Sequence, residues 1–201
     1  MRLVPPASAT ALILVLGLVT GCLGLGGQSP KTEFYLLTPT AERASADGPG
    51  PVLAVGPVDL PGYLERPQIV TRGPGNAIEL AEFEHWAEPL DESFLRVLAE
   101  DLAAQVPTDR LLLFYTSTMR EVDFQVRVDV VRFDADERGA VQLVARWRLY
   151  ATDQREELAS RESRIAETAK PGDYDAIAGA MSRAVNALAR EIAEEIRRGG
   201  G

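Results

Sequence analysis

Between Phe124 and Leu149 the chain alternates apolar and polar residues twice, with a turn signal between the two runs. Phe124, Val126, Val128 and Val130 alternate with Gln125, Arg127 and Asp129. Val141, Leu143, Ala145, Trp147 and Leu149 alternate with polar residues such as Gln142, Arg146 and Arg148. A period of two places each apolar set on one face of a strand, so these runs demand a sheet with one buried side. Asp134 to Gly139 reads as the hairpin turn. The phase breaks at Val130-Val131, which throws Phe133 onto the other face. That break requires either a β-bulge or burial on both faces.

The rest of the pattern fits around this hairpin. Phe34–Leu37 and the more polar stretch Leu158–Ile165 read as edge strands. Val52–Val58, Gln68–Arg72, Ala77–Leu80 with Glu82–Trp86, and Leu111–Thr116 read as further extended segments. Leu90, Phe94, Leu95, Val97, Leu98 and Leu102 recur at helical spacing. Pro89 suits the first helical position, and Pro107 ends the run. Tyr174, Ile177, Ala178, Met181, Val185, Leu188, Ile192 and Ile196 make a second apolar stripe, with Asp173 placed to cap it. The expectation is one α+β domain, a mainly antiparallel sheet with two amphipathic helices packed on it.

The N-terminus has a different character. Arg2 is followed by an uncharged stretch to Gln28 that contains the apolar run Ala11–Val19 and ends in Val19-Thr20-Gly21-Cys22. A basic start, a short apolar core and small residues before a cut mark a secretory signal. A cut before cysteine resembles the bacterial lipobox, in which the thiol receives a diacylglycerol and the new amine a further acyl chain such as palmitate. An uncleaved anchor is opposed by Pro5, Pro6 and the glycines that interrupt the stretch. An ordinary cleaved signal leaves Cys22, the chain's one cysteine, without a purpose. The expected organisation is a signal peptide over 1–21, a flexible tether over 22–30, a domain over 31–198 and a frayed tail over 199–201. Leu23 rather than Asp follows the cysteine, which favours sorting to the periplasmic face of the outer membrane over retention at the inner membrane.

Charge and residue inventory exclude several functions. The formal charge of the 201 residues is −9, which does not suit nucleic acid or broad adhesion to anionic lipid. Among the basic residues only Lys31 and Lys170 are lysine, a bias read as compositional. His85 is the sole histidine and lipidation leaves no free cysteine, so Cys–His pairs and zinc sites built from several Cys and His ligands are excluded. Gly73-Pro74-Gly75 lacks the lysine and helix of a phosphate loop. Ser93 and Ser117 lie in no nucleophile-elbow pattern that could recruit His85. Asp134, Asp136 and Glu137 could hold a weak calcium ion, but a solvated turn is the stronger reading. No catalytic set, metal site or cofactor is assigned.

The segment Leu60-Pro61-Gly62-Tyr63-Leu64-Glu65-Arg66-Pro67-Gln68-Ile69-Val70 remains. Its prolines make it stiff, and Tyr63 and Arg66 are residue types that anchor interfaces. A rigid connector whose Tyr and Leu cap a sheet edge is the equal alternative. Together with Phe34–Leu37, Val55-Gly56-Pro57-Val58, His85-Trp86-Ala87-Glu88-Pro89-Leu90, Arg96–Leu102, Ala145-Arg146-Trp147 and the final helix, this segment resembles the ABC-type transport auxiliary lipoproteins of the PqiC/YmbA kind. The likeness runs in order over nearly all of the region after the tether. His85 departs from it, standing where an arginine is expected.

The resemblance implies a non-catalytic envelope lipoprotein of an intermembrane lipid transport system. The implied partners are an MCE-domain protein and its ABC permease and ATPase, and a homo-oligomer is allowed. Tyr63, Leu64, Arg66, Pro67 and Trp86 are then the candidate partner-binding residues, and Cys22 the lipidation site. An alternative role is a lipoprotein that itself binds a lipid or small ligand.

Overall fold

The computed structural model describes residues 30–42, 48–113, 122–151 and 156–199. Its strands are β1 (Glu33–Tyr35), β2 (Leu53–Asp59), β3 (Gln68–Arg72), β4 (Ile78–Trp86), β5 (Leu111–Leu113), β6 (Phe124–Asp136), β7 (Ala140–Ala151) and β8 (Glu156–Thr168). Its helices are α1 (Leu90–Gln105) and α2 (Tyr174–Gly199). From Thr32 onward they form one compact unit. The expected signal peptide, Cys22 and most of the expected tether lie outside the described residues.

The alternating hairpin forms as its pattern requires. β6 and β7 pair antiparallel from Phe124↔Ala151 to Ala135↔Val141. The phase break is a bulge, since the register shifts between Val130 and Arg132. Val131 is pushed out, 43% exposed, while Val130 faces Ala145 and Phe133 faces Leu143. The extra residue returns Phe133 to the buried side, where its ring meets Phe94 of α1 edge-on at 5.3 Å. The turn is shorter than the sequence suggests. β6 continues through Asp136, whose Oδ1 accepts the backbone N–H groups of Arg138 and Ala140. Gly139 closes the turn at φ 78°, and a Cβ there would stand 2.3 Å from the Ala169 carbonyl oxygen. Asp134, expected in the turn, is a fully buried strand residue.

The sheet has eight strands and mixed pairing. β8 pairs with β7 alone and is an edge, as expected. β1 is the other expected edge and lies parallel to β4. The far side of β6 is shared. β2 runs parallel to its first half, with β5 beyond, and β3 runs parallel to its end, with β4 beyond. Alternation fixes which face is buried but not which strand lies beside which, so the parallel pairs were not readable from it.

Both helices pack on the sheet and on each other. α1 buries Phe94, Val97, Leu98 and Leu102. α2 buries the expected stripe from Ile177 to Ile196. Pro89 stands one position earlier than expected, as the N-cap, because its ψ of 132° is extended. Its carbonyl accepts the Ser93 N–H at 3.0 Å. Asp173 caps α2 through the Ala176 N–H, which holds its carboxyl below the usual range. The last helix runs through Gly199, one residue past the expected domain limit.

Two polar knots tie the chain across elements. In the first, Asp134 accepts the Tyr63 hydroxyl at 2.7 Å, Arg72 Nε at 3.0 Å and Arg132 Nε at 2.8 Å. The Arg72 guanidinium lies over the Tyr63 ring. Burial, with the Asp134 contact, pushes the Tyr63 hydroxyl pKa up. In the second, Asp101 Oδ1 accepts the N–H groups of Thr40 and Ala41 at 2.9 and 2.8 Å. Its Oδ2 is buried with no partner among the described residues, and burial pushes its pKa up.

Each knot generates a test. Hydrogen bonds to charged groups contribute about 1.5–3 kcal/mol, so Tyr63→Phe should lower unfolding stability by about that much in urea titration. Asp134→Ala should cost more than Tyr63→Phe, because it unpairs Arg72 and Arg132 as well. It should cost less than about 3–5 kcal/mol, the loss for a fully buried unpaired charge, since water reaches both guanidiniums. Asp101 titrates in the opposite sense to most carboxylates. Its folded pKa is raised, so its contribution is full below the unfolded value of about 3.9 and is lost as pH rises through the folded value. Asp101→Asn keeps the acceptor and removes the buried charge. The variant should therefore gain stability relative to the native chain between pH 4 and pH 7, and a flat difference over that range would refute the assignment.

Candidate functional site

The cleft arises where the chain departs from the edge of β6. Asp59 sits opposite Asp129, and Thr71 opposite Ala135, so twelve residues of chain advance only six along β6. The surplus folds outward as a 3-10 turn over Gly62–Leu64, with Leu64 N–H bonded to Pro61 O at 2.9 Å. Pro61 and Pro67 fix its two ends by restricting φ. The Pro67 carbonyl accepts the Trp86 N–H at 2.6 Å, which joins this segment to the end of β4. Ala87 N–H is bonded in turn to Tyr35 O at 2.9 Å, and α1 starts at Leu90.

These segments enclose a cleft of about 450 Å³. Its apolar lining includes Leu60, Leu64, Pro67, Trp86, Pro89 and Leu90, and its rim carries Glu65, Arg66, Glu88 and Asp91. Leu64 and Trp86 are 3% and 5% exposed, and Arg66 and Pro67 stand on the exposed lip. Glu88 is held by Arg96 at 2.6 Å, and that hydrogen bond keeps its carboxyl below the usual range. Arg96 also reaches the Leu37 carbonyl at 3.2 Å, so Glu88 is braced against the body of the domain.

Four of the five candidate residues therefore meet at one site: Leu64, Arg66, Pro67 and Trp86. Tyr63 is turned away from it toward Asp134. Tyr63 is bonded within the domain, and Arg66 and Pro67 are exposed. Sequence reasoning marked both segments but not their union, because nothing in either one announces the Pro67–Trp86 bond. It placed Asp134 in a solvated turn, since an aspartate among Asp, Glu and Gly resembles a turn residue, and so missed it as the buried acceptor for Tyr63. The cleft presents no hydroxyl, imidazole, thiol or amine side chain that could act as a nucleophile, and it suits the binding of an apolar group within a charged rim. Among the described residues no three His, Cys, Asp or Glu side chains are grouped to hold a metal. His85 lies outside the cleft, on β4, with the Phe34 ring edge-on at 6.0 Å.

Comparison with known proteins agrees with the fold. Among solved structures, an uncharacterized protein is similar with TM-score 0.68 and 22% identity, covering 83% of this chain and 99% of its own. Protein XCC0632 of Xanthomonas campestris, of the DUF330 family, is similar with TM-score 0.65 and 17% identity, covering 84% of this chain and 99% of its own. No curated protein matches in sequence. The family model described as ABC-type transport auxiliary lipoprotein component matches residues 35–193, which take in every element from the end of β1 to most of α2. The chain belongs to the family of ABC-type transport auxiliary lipoprotein components.

Proposed function

We propose that this chain is a non-catalytic lipoprotein, anchored through Cys22 on the periplasmic face of the outer membrane, that docks an MCE-domain protein of an intermembrane lipid transport system. The observation that carries this reading is the cleft. The two segments that most resemble the family in sequence, Leu60–Val70 and Trp86–Leu90, are the ones that fold together to form it. A stiff apolar depression with a charged lip is the kind of surface that receives an anchoring side chain from a partner protein. The lipid would fix where the docking domain acts, since two or more acyl chains make membrane attachment stable.

A second reading uses the same cleft for a lipid or small molecule. Its volume falls within the range of about 300–1,000 Å³ typical of ligand sites. Native mass spectrometry of the domain purified from membranes separates the two. A co-purifying lipid that is lost on Leu64→Glu favours the second, and a bare domain favours the first.

The docking reading is tested by co-purification with an MCE-domain protein from the same organism. Arg66→Glu combined with Leu60→Glu alters the lip and lining of the cleft and should weaken capture by about tenfold or more, as for interface anchors. Tyr63→Phe should lower stability while capture persists. Unchanged capture by a folded Arg66→Glu/Leu60→Glu chain would place the docking face elsewhere. Cys22→Ser should abolish palmitate labelling and move the folded protein from the membrane fraction to the soluble periplasm. Retention of the variant in the membrane fraction would contradict lipid anchoring.

A further inference from the structure

The most exposed large apolar side chain among the described residues is Phe34, at 64%, and Leu36 two positions on is 44% exposed. Neither exposure follows from a lack of buried sites nearby. Tyr35 between them turns inward, donates its hydroxyl to Glu84 at 2.6 Å and packs against the core, and Leu37 is fully buried. The strand and the two residues after it thus send alternate side chains inward and leave a phenylalanine and a leucine in solvent. β1 is an edge strand, so no neighbour beyond it covers them among the described residues.

Position along the chain indicates what does. Cys22 precedes Phe34 by twelve residues, so the two are separated by no more than about 40 Å of extended chain. Every other exposed large apolar residue named in the structure except Leu36 lies at least forty residues further along, from Ile78 to Val131. We propose that Phe34 and Leu36 seat in the surface of the membrane that holds the Cys22 lipid, so that the domain touches the bilayer at the β1 corner. This inference rests on the anchored reading above. Tethering supplies the local concentration that two side chains alone could not, because the second contact is intramolecular once the lipid is inserted. Transfer of the two side chains out of water supplies the attraction.

The charges around β1 select the kind of membrane. Glu33 and Glu84 flank the pair on β1 and β4, and Asp175 lies in the first turn of α2. The Glu84 hydrogen bond, then burial, push the Tyr35 pKa up to about 12, with smaller contributions from the charges of Glu33 and Asp175. Lys170 stands among these residues and Lys31 precedes Glu33, but the carboxylates of Glu33, Glu84, Asp173 and Asp175 outnumber them, so the corner is repelled by anionic headgroups. The contact therefore fits a zwitterionic surface, and phosphatidylglycerol should weaken it.

The full lipidated chain in phosphatidylcholine vesicles tests this. With Phe34→Trp, emission should shift to the blue relative to the soluble Cys22→Ser form and should be quenched when the vesicles are made of dibrominated phosphatidylcholine. The native Trp86 and Trp147, both buried, set the unquenched baseline. Leu112→Trp, on β5 at the opposite end of the sheet order, should escape quenching. Adding phosphatidylglycerol should reduce the effect at position 34. A chain that fails to float with vesicles defeats the anchoring reading itself. A chain that floats but shows no bromine quenching at position 34 overturns this inference alone. A blue shift without quenching overturns it too, since a protein surface then covers Phe34. Equal quenching at positions 34 and 112 overturns it as general adhesion.

Discussion

Strand β6 is the member on which the rest of the domain depends, because two strands share one of its edges. β7 occupies one side along its whole length, and β2 and β3 divide the other. Both run parallel to β6, so the chain between them cannot turn back as a hairpin does. It has to leave the edge after Asp59 and rejoin at Thr71 going the same way. The excursion over Leu60–Pro67 is the consequence. Leu64 and Pro67 on one side of it line the cleft, and Tyr63 on the other secures it to Asp134. The site and its foundation are two faces of one detour.

The Asp134 knot shows which electrostatic terms matter in an acidic chain. Most ion pairs here are exposed, such as Arg146–Glu162 with Arg146 65% exposed, and exposed pairs contribute little. Asp134 is fully buried. Its desolvation is costly unless every oxygen is engaged, and two guanidiniums and a phenol engage them. Such a knot adds less to net stability than an apolar core of equal volume. Its effect is positional: it specifies that Tyr63, Arg72 and Arg132 converge, and so where the Leu60–Pro67 segment stands.

What was legible in the sequence follows from which forces are local. The alternation of β6 and β7, the bulge at Val131, the edge position of β8 and the α2 stripe all arise from burial of one face, and burial leaves a period. The single α+β domain followed from these elements. Parallel neighbours leave no period, so β2 beside β6 and β1 beside β4 were invisible. Residue type misled at Asp134 and left Tyr63 open. Asp134 looked like a turn residue because aspartate favours turns, and Tyr63 fitted an interface anchor and a rigid connector equally. Each is explained by the other, and a pair separated by that much chain cannot be read from either end. The Leu60–Val70 and Trp86–Leu90 segments stood out through their prolines and aromatics, yet only the fold turns them into one cleft.

The same reasoning accounts for polar residues in the apolar stripes of both helices. Asp101 on α1 and Ser182 and Asn186 on α2 are buried, where an unpaired polar group is costly. The segment after β1 supplies their partners. Thr38 N–H donates to Ser182 Oγ, Thr40 and Ala41 donate to Asp101, and Asn186 donates to Thr40 Oγ1 at 2.7 Å. Leu37 is fully buried among the core residues just ahead of them. The chain entering from the N-terminal side is therefore fastened to both helices before β2 begins. On the anchored reading, any pull from the lipid falls first on this strap and on β1. Its load is shared by hydrogen bonds to two helices, and β1 meets the cleft directly, through the Tyr35–Trp86 pairing with β4, the Ala87–Tyr35 bond and the Arg96 brace on Leu37.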